Sequence, residues 1–245
     1  MDPQPQPFAL LACSVFEREL ERHADGMTHL AEIRWYEIAL HDRPDRLRAG
    51  LQRSVDELSA RSDLAAVVLL YGLCGLGTAG LRAGRVPLVL PRAHDCMTLL
   101  LGDRERYAQL QRDCPSCYWF SPGWNRARRV PGPDRLESLQ TEMAAQFEPD
   151  DAEYLVEMER AAWAQHDTAF YVDLGTADAD HEAAYAEGCA KWLGWNFRRL
   201  TGDPTLFRDL LSGNWDPERF LIVRPGERIA HSPDDRIVRA EPADG

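Results

Sequence analysis

The chain has 245 residues, of which 28 are basic and 40 acidic, so its formal net charge is −12. This length and composition are typical of a folded globular protein that buries a full core. The acidic balance disfavours binding to nucleic acid or to an anionic membrane surface, because both attract positive charge. No apolar run approaches the roughly 20 residues that a membrane-spanning helix requires.

The first seven residues lack the basic and apolar regions of a signal peptide, so we expect none. Six cysteines in such a chain are expected to be thiols, metal ligands or redox groups rather than structural disulfides. The sequence therefore predicts a cytoplasmic protein.

The N-terminal half alternates between strand and helix patterns. Residues 8–13 form a continuous apolar run, which is typical of a buried parallel strand. The Ser-x-x-Glu spacing that begins at Ser14 predicts a capping box and a helix over about 15–25. Further strands are predicted at 32–40, 65–71 and 86–90, with helices at about 44–60 and 96–112.

The alternation resumes after an irregular and then helical stretch in the middle of the chain. Strands are predicted at 170–174, 197–200 and 220–223, with helices at 178–193 and 204–211. This pattern predicts an α/β fold with a mainly parallel sheet and flanking helices. We expect two Rossmann-like lobes with a cleft between them. Residues 8–115 would form an N-terminal α/β lobe, and residues 116–245 the connecting helices and a second, smaller α/β lobe.

Thiol and imidazole side chains follow the ends of the predicted strands of the first lobe. They are Cys13, His41, Cys74, His94 and Cys96. The carboxyl ends of parallel strands meet at one edge of a sheet, where ligands bind, so we expect these side chains to lie close together. Three thiolates and one imidazole complete a tetrahedral zinc site, which predicts Cys13, Cys74, Cys96 and His94 as metal ligands. The alternatives are a 4Fe-4S cluster on the three cysteines, or cysteines that act as small apolar core residues.

Three residues of this group are candidates for acid–base catalysis, namely His94, Asp95 and His41. The alternative for His41 is a hydrogen-bonded loop residue. The helix predicted after Ser14 is expected to lower the pKa of Cys13, because its N-terminal dipole favours the thiolate.

A glycine-rich turn follows the most apolar predicted strand. Gly72, Gly75 and Gly77 are expected to let the backbone come close to a bound metal or small ligand. The Gly-x-Gly-x-x-Gly spacing from Gly75 also matches a dinucleotide-binding pattern. The next strand begins too soon afterwards for the helix that such a unit needs, so we do not favour a nicotinamide or flavin cofactor.

These residues resemble those of a known family, the domain of unknown function DUF1638. The matching blocks are Ala12-Cys13, Leu40-His41 with Pro44, Tyr71-Gly72-Leu73-Cys74-Gly75, Pro91-Arg92-Ala93-His94-Asp95-Cys96, Leu100-Leu101-Gly102 with Arg106-Tyr107, Pro122-Gly123-Trp124, Gly202-Asp203 and Gly213-Asn214-Trp215-Asp216. The resemblance spans about residues 8–226, and the His-Asp-Cys block is its most specific part. It implies an association with corrinoid-dependent methyl metabolism and supports Cys13, Cys74, His94 and Cys96 as the site.

The favoured function is a metal-dependent transferase. A thiolate-bound metal ion, zinc in the first instance, would support transfer of a methyl or related group to a small thiol-like substrate. The alternatives are a 4Fe-4S protein for redox, sulfur-transfer or hydro-lyase chemistry, and a non-catalytic carrier of a metal or corrinoid. The expected partners are a small-molecule substrate in the cleft and a corrinoid or methyltransferase protein.

Overall fold

The structure is a computed structural model that describes residues 6–243. Most of the N-terminal segment for which no signal peptide is expected therefore lies outside the described residues. The strands are β1 (Phe8–Cys13), β2 (Leu30–Tyr36), β3 (Ala66–Leu70), β4 (Leu88–Pro91), β5 (Cys117–Phe120), β6 (Thr168–Asp173), β7 (Asn196–Thr201), β8 (Phe220–Val223), β9 (Glu227–His231) and β10 (Val238–Pro242). The helices are α1 (Glu17–His23), α2 (Pro44–Ser59), α3 (Cys96–Leu101), α4 (Arg104–Asp113), α5 (Pro122–Arg126), α6 (Pro133–Ala144), α7 (Pro149–Trp163), α8 (Ala179–Leu193) and α9 (Thr205–Ser212).

The chain divides into two compact units. The first contains Met1–Tyr107 and Asp203–Gly245, and the second is the continuous segment Ala108–Gly202. Residues 203–245, which the sequence analysis assigned to the second lobe, thus belong with the first unit. The predicted α/β class with mainly parallel sheets is confirmed.

The first unit contains a five-stranded sheet in the order β2-β1-β3-β4-β8. The first four strands are parallel, and β8 pairs antiparallel with β4. Strands β1 and β3 are central and buried on both faces, which explains why each is an unbroken apolar run. The parallel order brings the carboxyl ends of β1, β2, β3 and β4 to one edge of the sheet.

Helix α2 packs on the face of this sheet against which Cys13 and Cys74 also pack. Pro44 occupies its first turn, where the missing amide hydrogen costs nothing. Leu47, Leu51 and Leu58 recur at helical spacing and are fully buried in the core that also contains Leu11. Each buried leucine contributes about 2 kcal/mol of hydrophobic free energy, so this face of the sheet is firmly held.

The start of the first helix differs from the sequence prediction. Ser14–Phe16 form a short 3-10 helix, and α1 begins only at Glu17 with Phe16 as its N-cap residue. Within the described part of the chain, no side-chain hydrogen bond caps either element. The Ser14 capping box is therefore not formed, because Glu17 stands at the first position of the α-helix rather than at the third.

The C-terminal segment of the first unit contains an antiparallel hairpin of β9 and β10 that the sequence analysis did not predict. The Arg92 guanidinium, which follows β4, holds this region. It donates to the carbonyl oxygen of Pro217 at 2.9 Å and to those of Arg236 and Val238. Arg92 is 9% exposed. Through these main-chain carbonyls it connects the end of β4 to the segment before β8 and to the start of β10.

The second unit contains the parallel three-stranded sheet β5-β6-β7. Helix α8 packs on β6 and β7 and buries a row of small residues. The core of this unit consists of Phe120, Val130, Trp163, Ala169, Tyr171, Ala183, Ala186, Cys189, Ala190 and Trp195. Within residues 6–243, no helix is both long enough and apolar enough to cross a bilayer.

Candidate functional site

Two thiols lie at the carboxyl edge of the sheet in the first unit. Cys13 is the last residue of β1, and Cys74 follows β3 after a short extension. Both side chains are half-buried free thiols that pack against the core on the α2 side of the sheet. This edge is where ligands bind in parallel α/β folds, so the position of the thiols is that of a functional site.

The turn that carries Cys74 has a strained backbone. Cys74, Gly75 and Leu76 all adopt positive φ angles, of 47°, 60° and 71°. This conformation costs about 1–2 kcal/mol for each residue other than glycine. Leu76 is also 47% exposed, which is unusual for a large apolar side chain next to a buried core. Strain of this kind persists where the surrounding structure enforces it, and it is concentrated at functional sites.

Main-chain hydrogen bonds from the neighbouring strand end enforce the turn. The amide of Leu73 donates to the carbonyl of Ala93 at 2.8 Å, and the amide of Cys74 donates to that of His94 at 2.9 Å. The buried Thr78 hydroxyl donates to the Gly72 carbonyl at 3.1 Å. The positions of the Cys74 backbone and of the His94–Cys96 segment are therefore coupled.

The glycines predicted to admit a ligand make close approaches within the protein. A Cβ on Gly72 would lie 2.7 Å from the Asp95 amide nitrogen, and one on Gly77 would lie 2.7 Å from Leu47 Cδ2. Gly75 is needed for its positive φ rather than for a tight contact. Gly72 thus lets the extension of β3 approach the segment after β4, and Gly77 lets the turn approach Leu47 of α2.

A buried tyrosine hydroxyl lies close to both thiols. Tyr71 follows β3 directly and is 3% exposed, and its hydroxyl interacts with the Cys13 thiol. It is close enough to Cys13 and Cys74 for both thiols to raise its pKa, in addition to the effect of burial. A buried hydroxyl without a partner is costly, so the contact with the Cys13 thiol stabilises Tyr71 in this position.

Burial sets the protonation state of the two thiols. Burial raises the pKa of Cys13 to about 11, and it raises that of Cys74 further, with a contribution from Asp95. The expectation that a helix dipole lowers the pKa of Cys13 is wrong, because a 3-10 turn and not an α-helix begins at Ser14 and because burial dominates. As free thiols, both are protonated at neutral pH and are weak nucleophiles.

Asp95 has a structural role that occupies both carboxylate oxygens. Oδ1 accepts hydrogen bonds from the amides of Met97 at 3.0 Å and Thr98 at 3.2 Å and so caps α3. Oδ2 accepts from the Tyr107 hydroxyl at 2.8 Å. Burial raises the pKa of Asp95 even though these hydrogen bonds oppose the shift. Acid–base catalysis by Asp95 would have to break one of these interactions.

The remaining predicted site residues lie around this core. His41 is in the 3-10 helix Ile38–Asp42, where Nε2 is 2.9 Å from an Asp42 carboxylate oxygen and Nδ1 contacts the Ile38 carbonyl. His94 is exposed, and its ring lies 6.1 Å from that of Tyr107. Cys96 is half-buried at the first position of α3.

The structure brings Cys13 and Cys74 together with Tyr71, which the sequence analysis did not single out. The sequence feature that could have indicated Tyr71 is its position at the end of a predicted strand, directly before Gly72. Among the described residues, no group of three or more His, Cys, Asp or Glu side chains is arranged so that it could hold a metal ion. Cys96, His94 and His41 are thus near the same sheet edge without forming one ligand set with the two thiols.

Comparisons with known proteins give one match. Neither the curated proteins nor the solved structures yield a protein that matches this chain. A family model described as a protein of unknown function, DUF1638, matches residues 35–211, which is well over half of the chain. The matched region contains Tyr71, Cys74, the glycine-rich turn and the segment that begins at His94. The chain therefore belongs to the DUF1638 family.

Proposed function

We propose that the protein binds a single metal ion through thiolates at the edge of the first sheet. We further propose that it acts there as a metal-dependent transferase of a methyl or related group. The observation that carries the proposal is the pair Cys13 and Cys74, two thiols at the ends of adjacent parallel strands, with the buried Tyr71 hydroxyl close to both. Two soft donors and a hydroxyl suited to hydrogen-bond a thiolate favour zinc over a hard, oxygen-seeking cation.

The third and fourth ligands would come from the segment after β4. Cys96 and His94 flank Asp95, and the His94 carbonyl accepts a hydrogen bond from the Cys74 amide. Because the ligands are not preassembled, binding would draw Cys96 or His94 towards the thiol pair, as is usual where metal binding is coupled to local ordering. His94 is exposed, so its ring would lose few contacts on binding the metal.

Bound zinc would keep the thiol of a small substrate deprotonated and nucleophilic towards a methyl donor. The residues of this chain would orient that thiol and exclude water from it. Tyr71 would donate a hydrogen bond to a sulfur, and Leu76 would cover the apolar part of the substrate. The donor would be a corrinoid or methyltransferase protein, and the reaction would take place in the cytoplasm without nucleic acid.

The test is elemental analysis, with a visible spectrum, of the protein purified without oxygen. We expect about one zinc per chain and no colour in the parent protein. Cys74→Ser and Cys96→Ser should each lose most of the metal, because a serine hydroxyl is a poor zinc ligand. Cys114→Ser is the matched control, since Cys114 is a half-buried free thiol of the second unit.

Full metal content in both Cys74→Ser and Cys96→Ser would contradict the proposal. If the protein instead contains iron with matching sulfide and absorbs visible light, the same cysteines hold a 4Fe-4S cluster and not a single metal ion. Bound metal without turnover of any thiol and methyl donor would instead identify a carrier.

A further inference from the structure

The second unit contains two cysteines in one tight turn. Cys114 directly follows α4, and Cys117 is the first residue of β5. The Cys117 amide donates to the Cys114 carbonyl at 3.2 Å, which closes a four-residue β-turn. Pro115 occupies the second position of this turn, where its fixed φ angle is favourable. The end residues of a β-turn have Cα atoms less than about 7 Å apart, which is the range that a disulfide bridges.

Hydrogen bonds to the segment before β6 hold this turn in place. The Ser116 hydroxyl donates to Asp167 Oδ1 at 2.7 Å, and the Asp167 amide donates to the Ser116 carbonyl at 3.2 Å. His166 Nδ1 lies 3.2 Å from the same carbonyl. The hydroxyls of Ser116 and Thr168 hold the pKa of Asp167 below its usual value, so its carboxylate stays charged as the acceptor at neutral pH. The turn is therefore fixed in the conformation that keeps the two cysteines together.

The two cysteine side chains are in contact. Both are free thiols, and they form a side-chain hydrogen bond with each other. Cys117 Sγ also donates to Gln111 Oε1 at 3.3 Å. Burial raises the pKa of Cys117 to about 12, with a contribution from Cys114, so this thiol keeps its proton at neutral pH. Cys117 is 6% exposed and Cys114 is half-buried, so a reagent in solution reaches Cys114 first.

We propose that Cys114 and Cys117 are a redox-active pair, which forms an intramolecular disulfide by exchange with a small-molecule disulfide. The Cys114 thiolate attacks one sulfur of that molecule, which breaks its S–S bond and releases the first small thiol. The Cys117 sulfur then attacks the Cys114 sulfur, which forms the protein disulfide and releases the second small thiol. The two protons of the cysteines end on the two released thiols. The protein loses two electrons, and the small disulfide gains them.

The surroundings of the pair favour a slow switch over a catalyst of exchange. A helix N-terminus or a neighbouring cation favours the thiolate and so accelerates exchange. This turn instead follows the end of α4, and the charge of Asp167 adds to burial in raising the pKa of Cys117. The pair and its contacts belong to Ala108–Gly202. The proposal is therefore independent of the thiols of the first unit and of the function proposed for them.

The test is mass spectrometry of the full chain after equilibration with mixtures of reduced and oxidised glutathione. The samples are quenched with acid, denatured, alkylated with N-ethylmaleimide and digested with trypsin. Trypsin cuts after Arg112 and Arg126, so Cys114 and Cys117 lie in one peptide that contains no other cysteine. With oxidised glutathione in excess, most of this peptide should carry the internal disulfide, and reduced glutathione should restore two alkylated thiols. Cys189, a buried free thiol of the same unit, is the internal control and should be alkylated throughout.

Single substitutions separate the two steps of the exchange. Cys117→Ser should retain one glutathione on Cys114, because no second thiol is present to release it. Cys114→Ser should carry at least tenfold less glutathione on Cys117, because that thiol is buried and protonated.

Two alkylated thiols in the parent peptide at every glutathione ratio would overturn the proposal, and so would a disulfide that joins two chains. Equal amounts of glutathione on Cys114→Ser and Cys117→Ser would overturn the assignment of Cys114 as the attacking thiol. The measurement on the parent protein needs no substitution, so it decides the proposal even if a variant fails to fold.

Discussion

Replacing Gly72 by alanine is expected to destabilise the protein by about 3 kcal/mol, at the upper end of the usual cost of overpacking. The added Cβ would lie 2.7 Å from the Asp95 amide nitrogen, 2.8 Å from the Ala93 carbonyl oxygen and 2.9 Å from Asp95 Cα. These are main-chain atoms, which cannot move aside as the end of a side chain can. The extension of β3 and the segment after β4 would have to separate.

The measurement is the free energy of unfolding from denaturant titration, with Gly188→Ala as the control. Gly188 is an exposed residue inside α8, and apart from its chain neighbours and its own helix backbone no atom of the described residues would lie within 4 Å of a Cβ there. That change should stabilise the protein by about 1 kcal/mol, because alanine is the better helix former. Equal stability of Gly72→Ala and the parent would show that the two segments are not in the close contact described. If Gly72→Ala folds, it should also bind less metal than the parent.

Replacing Arg92 by alanine is expected to cost about 4 kcal/mol, the sum of two or more hydrogen bonds from a charged donor. The guanidinium donates to the carbonyls of Pro217, Arg236 and Val238, which would lose this donor together. Burial, with the positive charges of Arg236 and Arg104, lowers the pKa of Arg92, which shows that its charge is held in an unfavourable place. The hydrogen bonds to the three carbonyls offset this cost of burying the charge, and they do so only when the guanidinium reaches all three.

Lysine at position 92 should recover little of the loss, because a single ammonium group cannot reproduce the fork of the guanidinium. Hydrogen exchange would locate the effect, and we expect the amides of β8 and β10 to lose protection before those of β1. Arg224→Ala is the control, since Arg224 is an exposed arginine next to β8. Unchanged protection of β10 in Arg92→Ala would contradict the role of Arg92 as the connection to the hairpin.

Much of the fold could be predicted because its central strands are buried on both faces. Strands β1 and β3 are unbroken apolar runs, and hydrophobic burial alone specifies them. The pairing of β8 with β4 could not be predicted in this way, since antiparallel order at an edge depends on where the chain returns and not on local pattern. The hairpin of β9 and β10 was missed because its strands contain arginine, glutamate, histidine and proline.

For the candidate site, the sequence predicts where the residues lie, because they follow the ends of predicted strands. Cys13 and Cys74 lie at the expected edge, since the parallel order of the sheet determines where each strand ends. The environment of each side chain did not follow from the sequence. Burial outweighs any helix dipole at Cys13, and the Asp95 carboxylate is used to cap α3 and to accept from Tyr107. Both effects depend on packing between segments that are distant in sequence.

The interruption of the first unit by the second has a consequence for biosynthesis. A ribosome completes Ala108–Gly202 before it reaches Phe220–Val223, the strand that closes the edge of the first sheet. Until β8 is synthesised, the edge of β4 that faces away from β3 has no partner strand, although all strands of the second unit have already been made. Because exposed strand edges promote association between chains, we expect the growing polypeptide to be most prone to aggregation during this interval.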